Sequence, residues 1–143
     1  MVSREKLENA YAEMLGRWKW DWIATLTHAG YPSRAKLMRK FDAWVSELQR
    51  EDGTRTFRYV AVVESGAYGD NHHLHVLVGG LKRQAQMFPW PWRDRWQEVA
   101  GQAAIVKFDP KEGGIRYLLK TLLPDSEFDI TFKFQQPKGT SKR

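Results

Sequence analysis

Apolar residues recur along this chain in two rhythms. From Ser33 to Arg50, "SRAKLMRKFDAWVSELQR" sets Leu37, Phe41, Trp44, Val45 and Leu48 three or four apart, the stripe of one helix face. Pro32 and Ser33 mark its start, while Arg34, Lys36, Arg39 and Lys40 fall away from the stripe. Residues 3–16, "SREKLENAYAEMLG", open on Ser and close on Gly, which predicts an earlier helix. The second rhythm is that of strands. "RTFRYVAVVES" (55–65) and "HHLHVLVG" (72–79) are β-branched runs joined by the turn-rich "GAYGDN", predicting a hairpin. "WKWDWIATLTHA" (18–29), "QAAIVKFD" (102–109) and "FDITFKF" (128–134) read as further strands. Short helices are predicted within 87–101, after two prolines, and in "PKEGGIRYLLKTLLP" (110–124). The order α-β-α-β-β-α-β-α-β predicts an α+β domain, a central five-stranded, mostly antiparallel sheet with helices packed against it.

Length and charge narrow the function classes. A chain of 143 residues suits one domain, here 1–134, followed by a basic flexible tail over 135–143. The tail reads either as a phosphate-tracking arm or as a plain disordered terminus. There is no Cys, which excludes disulfides and thiolate metal sites. A net charge of +6 favours polyanionic partners, nucleic acid foremost. No apolar run approaches the roughly 18 to 20 residues of a membrane span, and the charged N-terminus is not a secretory signal. The expectation is a cytoplasmic protein without a membrane partner.

Candidate chemistry begins at "NHHLHVLVGG" (71–80). Alternate strand residues share a face, so His73 and His75 point one way with Leu77, and Leu74, Val76 and Val78 point into the core. Two imidazoles at i and i+2 can grip one metal ion. A structural histidine explains one such residue better than two on the same face. The preceding strand closes on Glu64, which a hairpin brings beside the histidines; Asp70 is the fallback. Two imidazoles and a carboxylate with open positions suit a catalytic divalent cation. His72 reads as a bystander or as a group supporting the ligands from behind.

A second candidate lies in "GGIRYLLKTLL". Ile115, Leu118, Leu119 and Leu122 form a core stripe, and Tyr117 and Lys120 share the opposite side of that helix. Tyr117 is either a surface residue or a group presented to a ligand. Tyrosine is a known covalent nucleophile, and an ammonium one turn away can stabilise a phenolate or a phosphate in transfer.

"WIATLTH", "HHLHVLV" and "YLLK" follow one another in order over residues 18–123. In this the chain resembles the HUH endonuclease superfamily, and most closely the single-tyrosine rolling-circle replication initiators (Rep proteins) of plasmids and phages. The resemblance implies an antiparallel sheet with the histidine strand in its middle. It also implies sequence-specific nicking of single-stranded DNA through a covalent 5′-phosphotyrosine. Tyr117 matches the nucleophile and Lys120 the lysine of the tyrosine motif. His73 and His75 match the metal ligands, and Glu64 resembles the third. Mg²⁺ or Mn²⁺ is the implied cofactor. The implied partners are origin single strands, hairpins among them, and a host or plasmid helicase, with the protein a monomer or weak dimer. Many Rep proteins carry a helicase domain after the nuclease, and here the chain stops first.

Two rivals remain. An HUH single-strand DNA transposase usually carries a glutamine four residues after the tyrosine; Thr121 stands there instead. From another class, a non-catalytic RRM-like nucleic-acid binder would use basic charge and exposed aromatics for stacking. Trp18, Trp20 and Trp22 alternate onto one strand face and read as core. Trp90 and Trp92 flank Pro91 in a loop and read equally as base-stacking or anchoring groups.

Overall fold

The computed structural model describes residues 4–64, 72–109 and 131–135. Along the chain run α1 (Arg4–Gly16), β1 (Trp22–Thr27), α2 (Arg34–Asp52), β2 (Arg58–Glu64) and β3 (His73–Gly79). They are followed by α3 (Arg83–Met87), α4 (Trp90–Val99), β4 (Ala103–Lys107) and β5 (Thr131–Gln135). The chain is α+β, with an antiparallel sheet and helices, as the patterning predicts.

The amphipathic stretch forms α2. Ser33 caps it, its hydroxyl accepting from the Lys36 N–H at 3.1 Å. At the other end the Gly53 N–H closes the last turn on the Gln49 carbonyl at 3.0 Å. The predicted stripe of Leu37, Phe41, Trp44, Val45 and Leu48 is buried. Four of the strands lie in the order β4-β1-β3-β2, and β5 adds outside β2. β3 pairs β2 on one side and β1 on the other, so the histidine strand is the middle of the sheet. The 55–79 hairpin is real, with Arg58 opposite Gly79 and Glu64 opposite His73.

Alternation gives the sheet two faces with different cover. Trp22, Ala24, Leu26, Tyr59, Ala61, Val63, Leu74, Val76 and Val78 join the main core with residues of α2 and α4. On the other face Val60, Val62 and Leu77 form a smaller cluster with Leu15 and Trp20, against which Trp18, Ile23 and Phe108 pack.

Here one expectation is corrected. The first strand begins at Trp22, not Trp18, and the three tryptophans do not share a face. Trp22 enters the main core, whereas Trp20 and Trp18 belong to the opposite cluster. The chain turns before β1, as the Trp18 N–H bonds the Leu15 carbonyl at 3.2 Å, so period two does not extend back through "WKWD". Likewise Trp90 and Trp92 lie in helix α4, with proline in its first turn, rather than in a loop. Trp92 is buried and Trp90 exposed. The five-residue α3 had no periodicity long enough to announce it. No described helix is long and apolar enough to cross a membrane.

Candidate functional site

Register sorts the second face of the sheet into rows. Glu64, His73 and Thr27 align across β2, β3 and β1. The next row holds Val62, His75, Thr25 and Ala104. The row after it holds Val60, Leu77, Ile23 and Val106, and the small apolar cluster runs from there into Val62 of the His75 row. Side chains along the face therefore change from apolar at one end to imidazole and hydroxyl at the other. His73, His75, Thr25 and Thr27 are all half-buried, whereas Leu74 and Val76 on the reverse of the same strand are fully buried. The expected division of labour along β3 holds.

His73 and His75 stand two residues apart, about 7 Å along the strand, on one face. Glu64 is the direct cross-strand neighbour of His73, where Cβ atoms lie roughly 5 Å apart. The description of Glu64 stops at its backbone. Asp70 lies outside the described residues, as do Tyr117 and Lys120. Among the described residues no group of three His, Asp or Glu is gathered to hold a metal. What the strands bring together is the two imidazoles and, by register, the position of the carboxylate.

Thr27 is a member of this row that the sequence patterning did not single out. Its Oγ1 lies 3.3 Å from Nδ1 of His73. With the hydroxyl accepting from Nδ1–H, Nε2 of His73 keeps its lone pair for a ligand. Thr27 is itself well held. Its N–H donates to the Gln102 carbonyl at 2.9 Å, and its carbonyl accepts from the Trp96 indole at 3.0 Å. Gly101 lets α4 come this close, because a Cβ there would overlap the Thr27 carbonyl. The signal available in the sequence was the alternation of "ATLTH", which sets Thr25 and Thr27 on one face. His72, read as a bystander, is buried at the start of the strand.

In sequence, Tyr117 lies between β4 and β5, whose positions are described. β4 finishes with Lys107 beside Trp22, far from the histidine row, on one edge of the sheet. β5 starts with Thr131 beside Val63, close to that row, on the other edge. The cations of α2 are placed differently. Lys36 and Arg39 are exposed on a helix that packs against the reverse of the sheet, so they do not face the histidines.

Two imidazoles on one strand face are donors that a divalent cation accepts. Two imidazoles with a carboxylate position favour Mn²⁺ over Mg²⁺, which prefers oxygen throughout. No protein-family profile matches this chain, and no curated protein or solved structure is significantly similar to it.

Proposed function

We propose that the protein is a metal-dependent endonuclease and strand transferase of the HUH type, with an HUH/RRM-like sheet, acting on single-stranded DNA to initiate rolling-circle replication. The observation that carries the reading is the row geometry. Two half-buried imidazoles share a face of the middle strand, beside a cross-strand glutamate and away from the core.

In this reading His73, His75 and Glu64 would hold Mn²⁺ or Mg²⁺, which when bound would supply Lewis-acid stabilisation of charge on the scissile phosphate. Thr27 orients the His73 ring. Tyr117 supplies the nucleophile: its phenolic oxygen forms a bond to phosphorus, the bond to the 3′ oxygen breaks, and the phenol proton ends on the departing 3′ hydroxyl. Lys120 offsets negative charge near the phosphate. The described anchors support this placement. β4 ends on one edge of the sheet, β5 begins near the histidine row on the other edge, and α2 and α4 occupy the reverse face.

The test is a trapped adduct. The protein is incubated with Mn²⁺ and a library of single-stranded hairpins, then digested and analysed by mass spectrometry. The expected product is a nucleotide 5′-phosphate on the peptide containing Tyr117, absent in Tyr117→Phe, which loses the nucleophile but keeps the ring. An adduct on Tyr31, or undiminished cleavage by Tyr117→Phe, overturns the assignment. Binding without any adduct returns the protein to the class of RRM-like binders.

A further inference from the structure

Most tryptophans of this chain are spoken for. The indole N–H groups of Trp20, Trp22, Trp44 and Trp96 donate to the carbonyls of Leu15, Ala85, Trp92 and Thr27. Trp92 is buried, with the Arg95 guanidinium 4.2 Å from its ring centre. Trp90 differs. It is 48% exposed, and its ring partner is Phe88, itself 45% exposed. The two rings meet at 5.0 Å and 70°, an edge-to-face pair that leaves flat ring surface toward solvent. Pro89 and Pro91 flank Trp90 at the head of α4 and stiffen the backbone that presents it. A stiff aromatic platform loses little entropy when something stacks on it.

We propose that the Phe88–Trp90 pair is a second nucleic-acid contact, a stacking platform for the bases of a single strand, with Lys107 and Lys82 taking adjacent phosphates. The proposal rests on the nucleic-acid reading above but not on its nicking chemistry. Charge selects the partner. From Leu81 to Arg93 the chain carries Lys82, Arg83 and Arg93 and no carboxylate, and Arg93 pairs Asp94 at 3.1 Å. Lys107 adds a fourth cation, its Nζ 3.9 Å from Sδ of Met87. A groove of about 400 Å³ adjoins the platform, lined by Lys82, Gln84 and Phe88 among others. Glu51 and Asp52 also line it, and both are engaged. Glu51 accepts from Arg95 at 2.6 and 2.9 Å. Asp52 accepts from the Thr54 hydroxyl at 3.1 Å and from the Lys82 N–H at 3.1 Å. Met87, Phe88 and Trp90, exposed among cations, make too small an apolar patch for the core of a stable protein interface. They suit a base with its phosphate.

The platform is not part of the histidine site. The Trp22 indole donates to the Ala85 carbonyl of α3, so this surface sits at the Trp22 end of β1. Thr27 and the histidine row lie at the other end, roughly 17 Å along the strand. A single strand touching both surfaces would cross the β4 edge, where Val106 is 57% exposed.

The test uses the full chain and fluorescein-labelled dT20, read by anisotropy across a salt series. Phe88→Ala/Trp90→Ala should weaken binding about 5- to 100-fold with an unchanged salt slope, because stacking releases no counterions. Lys107→Gln should instead flatten the slope by about 1. Both variants should melt as the wild type does, since the side chains are exposed. Wild-type affinity in the double alanine variant overturns the proposal, as does a wild type that leaves dT20 unbound. A double variant that binds dT20 normally but loses self-association or capture of a protein partner overturns it in favour of a protein interface. If the adduct assay is blank while the double variant still loses dT20, the nicking chemistry falls and the platform stands.

Discussion

The two ends of β3 use polar residues in opposite ways. At the Gly79 end they are consumed by the main chain. Arg58 is buried, its guanidinium donating to the carbonyls of Lys19 and, at 3.0 Å, Thr56. Its charge lies 5.3 and 5.6 Å from the ring centres of Trp18 and Trp20. Asp21 accepts from the Leu81 N–H at 2.9 Å, and Asp52 does the same for Lys82. Each group closes a turn or ties one strand end to another. At the His73 end both rings are half-buried, and the His73 ring meets the Thr27 hydroxyl, which can donate or accept. Polar groups bonded to backbone amides and carbonyls have one arrangement and serve the fold. Imidazoles and hydroxyls in partial contact with solvent keep chemistry to offer a ligand.

The largest effect expected from breaking this contrast is at the histidine end. Changing His73 and His75 together to Ala should reduce the proposed metal-dependent nicking to background, while the melting temperature shifts little because both rings sit outside the core. Single-turnover cleavage and a thermal melt on the same preparation decide it. Cleavage that survives in the double variant, or a collapse of the fold, would show that the two ends are not different in kind.

The reverse pattern is expected at the other end. Gly80 has φ 74°, and a Cβ there would overlap the Thr56 carbonyl. Gly80→Ala should therefore cost about 3 kcal/mol of stability in urea unfolding, combining left-handed strain with a shifted backbone. At a temperature where the variant remains folded, nicking per folded molecule should stay near wild type.

The smallest effect concerns protons. Burial pushes the Asp21 carboxyl above its ordinary value of 3.8, against the Leu81 N–H and the Arg58 charge, which pull it down. The folded protein then holds a proton that the unfolded chain has released. Stability credited to Asp21 falls as pH rises from about 3.8 through the raised folded value, and is level above it. Asp21→Asn should remove this slope, so the difference in urea midpoint between wild type and variant should change across that window only. Parallel curves for the two proteins would mean that Asp21 titrates alike folded and unfolded.

The chain's own patterning was enough for several things. The α2 stripe, the hairpin, the alternation of core and imidazole along β3 and the α+β class all follow from local periodicity, which needs no partner to be expressed. Even the Glu64–His73 neighbourhood was within reach, because hairpin pairing follows from sequence adjacency. Tertiary pairing settled the rest. Trp20 and Trp22 look equivalent in "WKWDW", yet they fall in opposite cores, because the chain turns ahead of β1 and only Trp22 is in strand register. Thr27 reaches His73 because β1, distant in sequence, pairs β3 on the side away from β2. The α2 cations end up behind the sheet because their own apolar stripe had to face the main core. Phe88 and Trp90 stand exposed where Trp92, two residues on, is buried, because α4 turns Trp92 toward Trp44 and Trp90 away from it. Local order follows from side-chain periodicity. Which surface a residue reaches depends on which distant strand or helix claims its neighbours.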